Sequence, residues 1–358
     1  MKIIFDHQIF VDQRVGGISK YHTELYKNLL EIGCDADLIC RLHQNLFVKE
    51  EFNNHKLFIE KNSIWIKRSM KFYNSLELYA KLNKNRDCII HPTYYNTTLL
   101  KRFTKNPMVI TVHDLTHELF FPKTDQVRRF LKKKKQTIMT ADRIIAISNH
   151  TKKDLMAYYH LPEDKIDVVY HGVNNRIDLK NSYSKRHEYI LFVGERQGYK
   201  NFEITIRALA SLLKGYSIDL ICVGGEFNAA EKHLIHQLNL ESCVYSQYVS
   251  EDYLQYLYQN AILFIYPSLY EGFGLPILEA FRNDCPICIS NTSCFPEIAG
   301  DAALYFDPND QDSIQEQVRS ILDNKQLREN LRSKGNQRMR NFSWEKTART
   351  TLASYRKI

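Results

Sequence analysis

Short apolar runs alternate with longer stretches of helical period along most of the chain. Residues 2–5 open it as a short apolar strand, and Ile18, Tyr21, Leu25 and Leu29 then recur at the spacing of one helix face. Further strands are expected at 38–40, 88–91, 108–112, 143–147 and 166–169, with helices over 126–140 and from a Ser148-Asn149 cap to Tyr159. From 189 the alternation becomes strict. Strands at 189–193, 217–223, 244–247, 261–266 and 286–289 are separated by helical segments that include 202–213, 251–260 and 276–282; helices at 311–323 and 326–339 follow. Repeated strand, crossover helix and strand is the pattern of a parallel sheet wound by helices. The chain is therefore expected to be α/β, with two Rossmann-like doubly wound domains at 1–173 and 189–342 joined by a polar linker at 174–188.

Residues 41–87 break the pattern. Phe58, Trp65, Lys67, Arg68, Lys71, Phe72 and Tyr73 interleave aromatic and basic positions. That suits an amphipathic helix at a membrane or a packed helix whose lysines reach out to water, and less well a surface that stacks single-stranded nucleic acid.

Charge sharpens the division. Residues 1–180 hold 30 Lys and Arg against 20 Asp and Glu, whereas 181–358 hold 19 against 21. An anionic partner of the first half follows: membrane lipid, nucleic acid or an acidic acceptor. Arg128, Arg129 and Lys132 to Lys135 concentrate the excess on one expected helix, which suits peripheral contact with an anionic membrane. No apolar run approaches the roughly 18–20 residues needed to span a bilayer. Met1 to Phe5 runs directly into polar sequence, so the expected location is cytoplasmic, at most peripheral on the inner face of the membrane. Cys285 and Cys288 form a lone C-x-x-C within an expected strand, which reads as buried thiols rather than a metal site. Asp35-Ala-Asp37, a D-x-D that could hold a metal elsewhere, reads as a solvated turn after Gly33.

The densest chemistry lies at 266–279. The strand ending at Tyr266 is followed by Glu271, Gly272, Phe273, Gly274 and Leu275, then Pro276 in the first turn of a helix that carries Glu279. Glycines let backbone N–H groups approach a ligand, and a helix start is a seat for diphosphate. Two carboxylates beside that seat suit a hydroxyl-rich ligand with a diphosphate in it, a sugar nucleotide. Arg196 and Lys200, in the loop after the strand at 189–193, are expected to project toward the same diphosphate. In the first half, Gly16-Gly17 opens a helix, and His113-Asp114 follows a strand at its carboxyl end, where open α/β sheets bind ligands.

Glu271-Gly-Phe-Gly-Leu-Pro-Ile-Leu-Glu279 resembles the E-x7-E signature of the retaining family 4 glycosyltransferases, and the resemblance extends over nearly the whole chain. The segments around Gly16-Gly17 and Leu115 to Pro122 are similar to bacterial surface-polysaccharide mannosyltransferases in particular. The resemblance implies a GT-B fold, two Rossmann-like domains facing each other across a cleft, with helix 343–358 crossing back to the first. It implies a hexosyltransferase that moves a sugar, mannose favoured, from a nucleoside diphosphate to a glycan or lipid-linked acceptor, without metal or cofactor. Roles carry over residue by residue. Glu271 and His113 meet the donor sugar as catalytic residues, and Glu279 holds the ribose. Gly272, Phe273, Gly274 and Leu275 offer backbone to sugar and diphosphate, Gly16 and Gly17 face the phosphates, and Arg196 and Lys200 hold the diphosphate. The base is expected near Tyr248 to Ser250. A sugar epimerase, a phosphorylase of the same fold, or a non-catalytic basic binding protein are the alternatives.

Overall fold

A computed structural model describes residues 1–52, 56–61, 63–97, 100, 104–174 and 187–358. Two compact units divide the chain: Met1–Gly172 with Ser343–Ile358, and Val173–Phe342. Most of the expected linker at 174–188 lies outside the described residues.

In the first unit, β1 (Lys2–Phe5) lies between β2 (Asp35–Leu38) and β5 (Ile89–His91), while β3 (Leu42–His43) and β4 (Leu57–Phe58) pair separately. A parallel bridge from Ile90 to Met108 continues the sheet to β6 (Val109–Val112), β7 (Arg143–Ala146) and β8 (Ile166–Val168). All its pairings are parallel. The expected face of helix Gly17–Glu31 packs as read: Tyr21, Leu25 and Leu29 are fully buried against Phe5, and helix Trp344–Tyr355 closes the same core through Trp344, Ala348 and Tyr355. Each such apolar side chain contributes roughly 1.5–3 kcal/mol on burial.

Two expectations fail locally. The D-x-D is strand rather than turn, because Gly33, at φ 81°, already makes the turn and leaves Asp35 free to pair with Lys2 in β1. Lys2 and Lys81 neutralise Asp37 at 3.2 and 3.0 Å. Within the basic cluster, Lys134 points inward and is 2% exposed. Its ammonium donates to Glu118 and to the Asp114 carbonyl, while the other five cations stay exposed on helix Asp125–Thr140. The unread stretch contains helix Ile64–Lys84, which buries Met70, Asn74, Leu78 and Leu82 and exposes Trp65, Phe72 and Leu76. Among the described residues, no helix is long and apolar enough to cross a membrane.

The second unit holds one parallel sheet in the order β11 (Val244–Gln247), β10 (Asp219–Val223), β9 (Tyr189–Val193), β12 (Leu263–Tyr266), β13 (Ile287–Ser290) and β14 (Leu304–Phe306). Helix Phe202–Tyr216 lays Ile206, Leu209 and Leu213 onto it beside Ile190 and Leu220. The chain winds outward from β9 through β10 and β11 on one side, then resumes at β12 on the other. The reversal between β9 and β12 is where an open α/β sheet leaves a crevice at its carboxyl edge. Cys285 and Cys288 are buried free thiols whose pKa burial pushes up.

Candidate functional site

The loops that leave β9 and β12 flank that reversal, and the Leu269 N–H donates to the Tyr199 carbonyl at 2.7 Å to tie them together. Lys200 ends a short 3-10 turn, Gly198–Lys200, and Asn201 in a left-handed conformation then starts helix Phe202–Tyr216. This geometry delivers the Lys200 ammonium to Glu271 Oε1 at 2.5 Å, with the two side chains 14% and 16% exposed. The ammonium also lies 5.2 and 5.6 Å from the ring centroids of Tyr199 and Tyr266, whose π faces favour a cation. Burial first, and Glu271 second, push the Tyr266 hydroxyl well above its ordinary pKa. One of the three ammonium donors is spent on Glu271, so the pair can still offer N–H groups to an anion.

Glu271 is held by its backbone. Its N–H donates to Ser293 Oγ at 3.2 Å and its carbonyl accepts from the Cys294 thiol at 3.2 Å. Gly274, at φ 84°, caps helix Leu275–Arg282, and a Cβ there would come within 3.0 Å of the Phe295 ring. The left-handed conformation favours glycine, and an added Cβ would also press on Phe295 and Ile277. Pro276 sits in the first turn, where its missing N–H costs nothing. Glu279, one turn along, accepts a long hydrogen bond from the buried Tyr258 hydroxyl at 3.4 Å.

Arg196 departs from expectation. Instead of projecting, its side chain is 4% exposed and donates to Glu231 at 3.1 Å and to the carbonyls of Gly225 and Glu226. Its guanidinium lies 4.8 Å from the Phe227 ring centroid. Glu231 is itself the partner of Asn228 in the capping box of helix Ala229–Gln237, so Arg196 fastens the loop after β10 to that helix. Its Nη1 is buried with no hydrogen-bond partner among the described residues.

In the first unit, Gly17 faces open space, and Gly16 lies under the Gln13 side chain, whose Oε1 would be 2.5 Å from an added Cβ. Tyr21, on the helix they start, packs edge-to-face with His113 and His171, its ring centroid 5.0 and 4.8 Å from theirs. His113 also stacks on His171 at 5.7 Å and lies 6.0 Å from His22, which lies 5.4 Å from His91. All four rings are buried. Burial lowers the pKa of His113 to about 4 and of His91 to about 3, and takes His22 and His171 well below their ordinary value. The four are neutral imidazoles at pH 7. His113 Nε2 has no hydrogen-bond partner among the described residues. Sequence reasoning singled out His113 and missed the other three. For two of them the signal was positional: His91 ends β5, and His171 follows β8 closely, as His113 follows β6, so one sheet edge gathers these three, while His22 reaches them from helix Gly17–Glu31.

Comparison with known proteins follows the same division. Residues 174–338 match the family described as glycosyl transferases group 1, and residues 15–176 match glycosyltransferase family 4. The O-antigen chain mannosyltransferase B of Escherichia coli is 28% identical, over 99% of this chain and 100% of that protein. The O-antigen chain mannosyltransferase RfbU of Salmonella typhimurium is 25% identical, over 85% and 87% respectively. Among solved structures, a glycosyltransferase of Rickettsia africae superposes with TM-score 0.74 at 19% identity, covering 99% of this chain and 98% of that one. Anabaena HepE in complex with UDP gives TM-score 0.74 at 16% identity and covers both chains fully.

Proposed function

We propose that this chain, whose halves match glycosyltransferase family 4 and glycosyl transferases group 1 and whose fold is GT-B, transfers a hexose, mannose favoured, with retention of configuration and without a metal ion. The proposed donor is a nucleoside-diphosphate sugar, and the proposed acceptor is a glycan or lipid-linked sugar in bacterial surface-polysaccharide assembly, as the O-antigen mannosyltransferases of E. coli and Salmonella among its relatives suggest. The observation that carries this reading is the Lys200–Glu271 pair beside the Gly274 helix start.

On this reading a diphosphate lies at the start of helix Leu275–Arg282, and Lys200 stabilises the negative charge that grows on it as the sugar leaves. That cation supplies what a divalent ion would otherwise provide. Glu271, oriented by Lys200 and by its backbone bonds, accepts from the sugar hydroxyls; Glu279 accepts from the ribose. Arg196 acts as a positioning residue, holding the loop at Gly224 to Glu226 in place. A departing diphosphate oxygen takes the proton of the incoming hydroxyl on the face it leaves, which gives retention. His113 is the proposed catalytic histidine of the first unit; its neutral ring with an unpartnered Nε2 suits a hydrogen bond to a hydroxyl. We place the enzyme in the cytoplasm, peripheral to an anionic membrane, with the exposed cations of helix Asp125–Thr140 and the exposed Trp65, Phe72 and Leu76 as the features that support contact.

Calorimetry with GDP-mannose, UDP-glucose and UDP-N-acetylglucosamine, each with and without EDTA, tests the reading. Equal affinity for one donor in both conditions is expected. Strict dependence on Mg2+ or Mn2+ refutes the metal-free mechanism, and no binding of any nucleotide sugar refutes the donor site.

A further inference from the structure

The spacing of Tyr21 makes it one position of an apolar helix face, and its side chain lies in the core with 0% exposure. A tyrosine there must still place its hydroxyl, because a buried O–H without a partner forfeits the hydrogen bonds it made to water. The partner is Thr111 Oγ1 in β6, at 3.1 Å. The same oxygen lies 3.0 Å from His91 Nε2 in β5, and His91 Nδ1 lies 2.5 Å from the Tyr355 hydroxyl. All four side chains are buried. They form one chain of hydrogen bonds from helix Gly17–Glu31 across two strands to the last residue of helix Trp344–Tyr355. A neutral imidazole donates at one ring nitrogen and accepts at the other, so His91 joins the two halves of that chain.

The chain ends beside His113. Thr111 and His113 stand two residues apart at the carboxyl end of β6, where alternate side chains leave the same face of the sheet. Tyr21 meets both of them: its hydroxyl bonds to Thr111, and its ring stands at 85° to the His113 ring. His171, stacked on His113, is held edge-to-face by the Tyr21 ring and by Trp344, whose centroid is 6.0 Å away. Trp344 also lies 6.1 Å from Tyr21. The C-terminal helix therefore supports the rings with its first residue and the hydrogen-bond chain with its last.

His113 depends on such support. Its Nε2 has no hydrogen-bond partner among the described residues, so packing has to hold that end of the ring. An edge-to-face neighbour has a preferred geometry and can supply the hold, provided that its own ring is fixed.

We propose that Tyr21 is a positioning residue for His113: the chain through Thr111 and His91 to Tyr355 fixes the Tyr21 ring, and that ring fixes the orientation in which His113 presents Nε2. That His113 is catalytic rests on the transferase reading above; the positioning itself does not. The C-terminal helix thereby acts on the site through other side chains.

Tyr21→Phe and Tyr355→Phe each remove one hydroxyl of the chain and keep the ring. Tyr26→Phe, on the same helix with its ring on Phe5 and Phe52, is the control. Circular dichroism establishes which variants are folded; if Tyr21→Phe is not, Tyr355→Phe carries the test. In NMR spectra of the full chain, the His113 ring signals, identified by their loss in His113→Gln, should move in Tyr21→Phe and Tyr355→Phe and stay in place in Tyr26→Phe. Unmoved signals overturn the proposal, whatever the reaction. Turnover is read as nucleoside diphosphate released from the donor that calorimetry selects among GDP-mannose, UDP-glucose and UDP-N-acetylglucosamine. Tyr21→Phe should lower kcat about tenfold with donor KM unchanged, since a misplacement of about 1 Å can cost about a hundredfold. Adding Tyr355→Phe should lower it little further, because both variants cut one chain. In a His113→Gln background, Tyr21→Phe should leave kcat unchanged. A full further loss in that background would show that Tyr21 acts independently of His113 and would overturn the proposal. Wild-type turnover by His113→Gln, in contrast, removes the catalytic histidine from the transferase reading and leaves the NMR result standing.

Discussion

Acidification should destabilise the first unit in a way that His91 makes measurable. Its ring is buried between β5 and helix Trp344–Tyr355, with Nδ1 at 2.5 Å from the Tyr355 hydroxyl and Nε2 at 3.0 Å from Thr111 Oγ1. Burial, then the neighbouring His113, holds its folded pKa near 3, against 6.5 for an ordinary histidine. A depressed folded pKa stabilises fully above the unfolded value, and that stability is lost as pH falls from 6.5 toward 3. Between pH 7 and pH 5 the unfolded chain takes up this proton and the folded chain does not, which removes about 2 kcal/mol. His113, at about 4, loses nearly the same over this interval. A total of about 4 kcal/mol from two rings is a large part of the 5–15 kcal/mol that holds a typical domain. Both tryptophans, Trp65 and Trp344, belong to this unit, so their fluorescence during urea unfolding reports it alone. His91→Gln should be less stable than wild type at pH 7 yet lose about 2 kcal/mol less on going to pH 5. Equal losses in the two proteins would show that His91 stays protonatable in the fold and refute the reasoning.

Two further predictions concern single side chains. Glu271→Gln should lower kcat more than it raises the donor KM, and Glu279→Gln should chiefly raise KM, each by about ten- to a hundredfold in steady-state kinetics, because charge changes at the sugar during transfer and not at the ribose; wild-type turnover by Glu271→Gln sinks the assignment. Lys134→Ala leaves Glu118, fully buried, without its cation, and should cost roughly 3–5 kcal/mol in chemical denaturation, most of it recovered by adding Glu118→Gln; a loss under 1 kcal/mol would contradict the buried pair.

The parallel sheets were legible because buried strands bounded by loops and helices with one apolar face leave different periods in the sequence. Tyr21, Leu25 and Leu29 gave one such face, and the run ending at Tyr266 gave the strand before the glycine turn. What the sequence concealed was the direction of charged side chains. Arg196 and Lys200 stand four apart in one loop and look alike, yet Glu231, 35 residues later, draws only Arg196 inward. Lys134 is one of four consecutive lysines, and only helix phase, set by Glu118 on another element, buries it. The β2 boundary was lost for a related reason: an alternating acidic strand beside Lys2 has the composition of a turn. The histidine cluster assembles from four positions spread over 150 residues, a proximity that exists only once the strand order is known.

Helix Trp344–Tyr355 completes the core of a unit whose other residues end at Gly172. Its attachment is close: Gly172 has no room for a Cβ beside the Trp344 backbone, and the Thr347 hydroxyl donates to the Tyr170 carbonyl at 2.8 Å. During synthesis at roughly 5–20 residues per second, the ribosome therefore spends about 9 to 34 s making the second unit before the first can close. Through that interval Tyr21, Leu25 and the histidine cluster remain uncovered on one side, while the second unit, contiguous in the chain, is free to fold. The birth order of the two units is thus the reverse of their order in the gene, and a nascent chain arrested before residue 343 carries an open hydrophobic seam for a chaperone to hold.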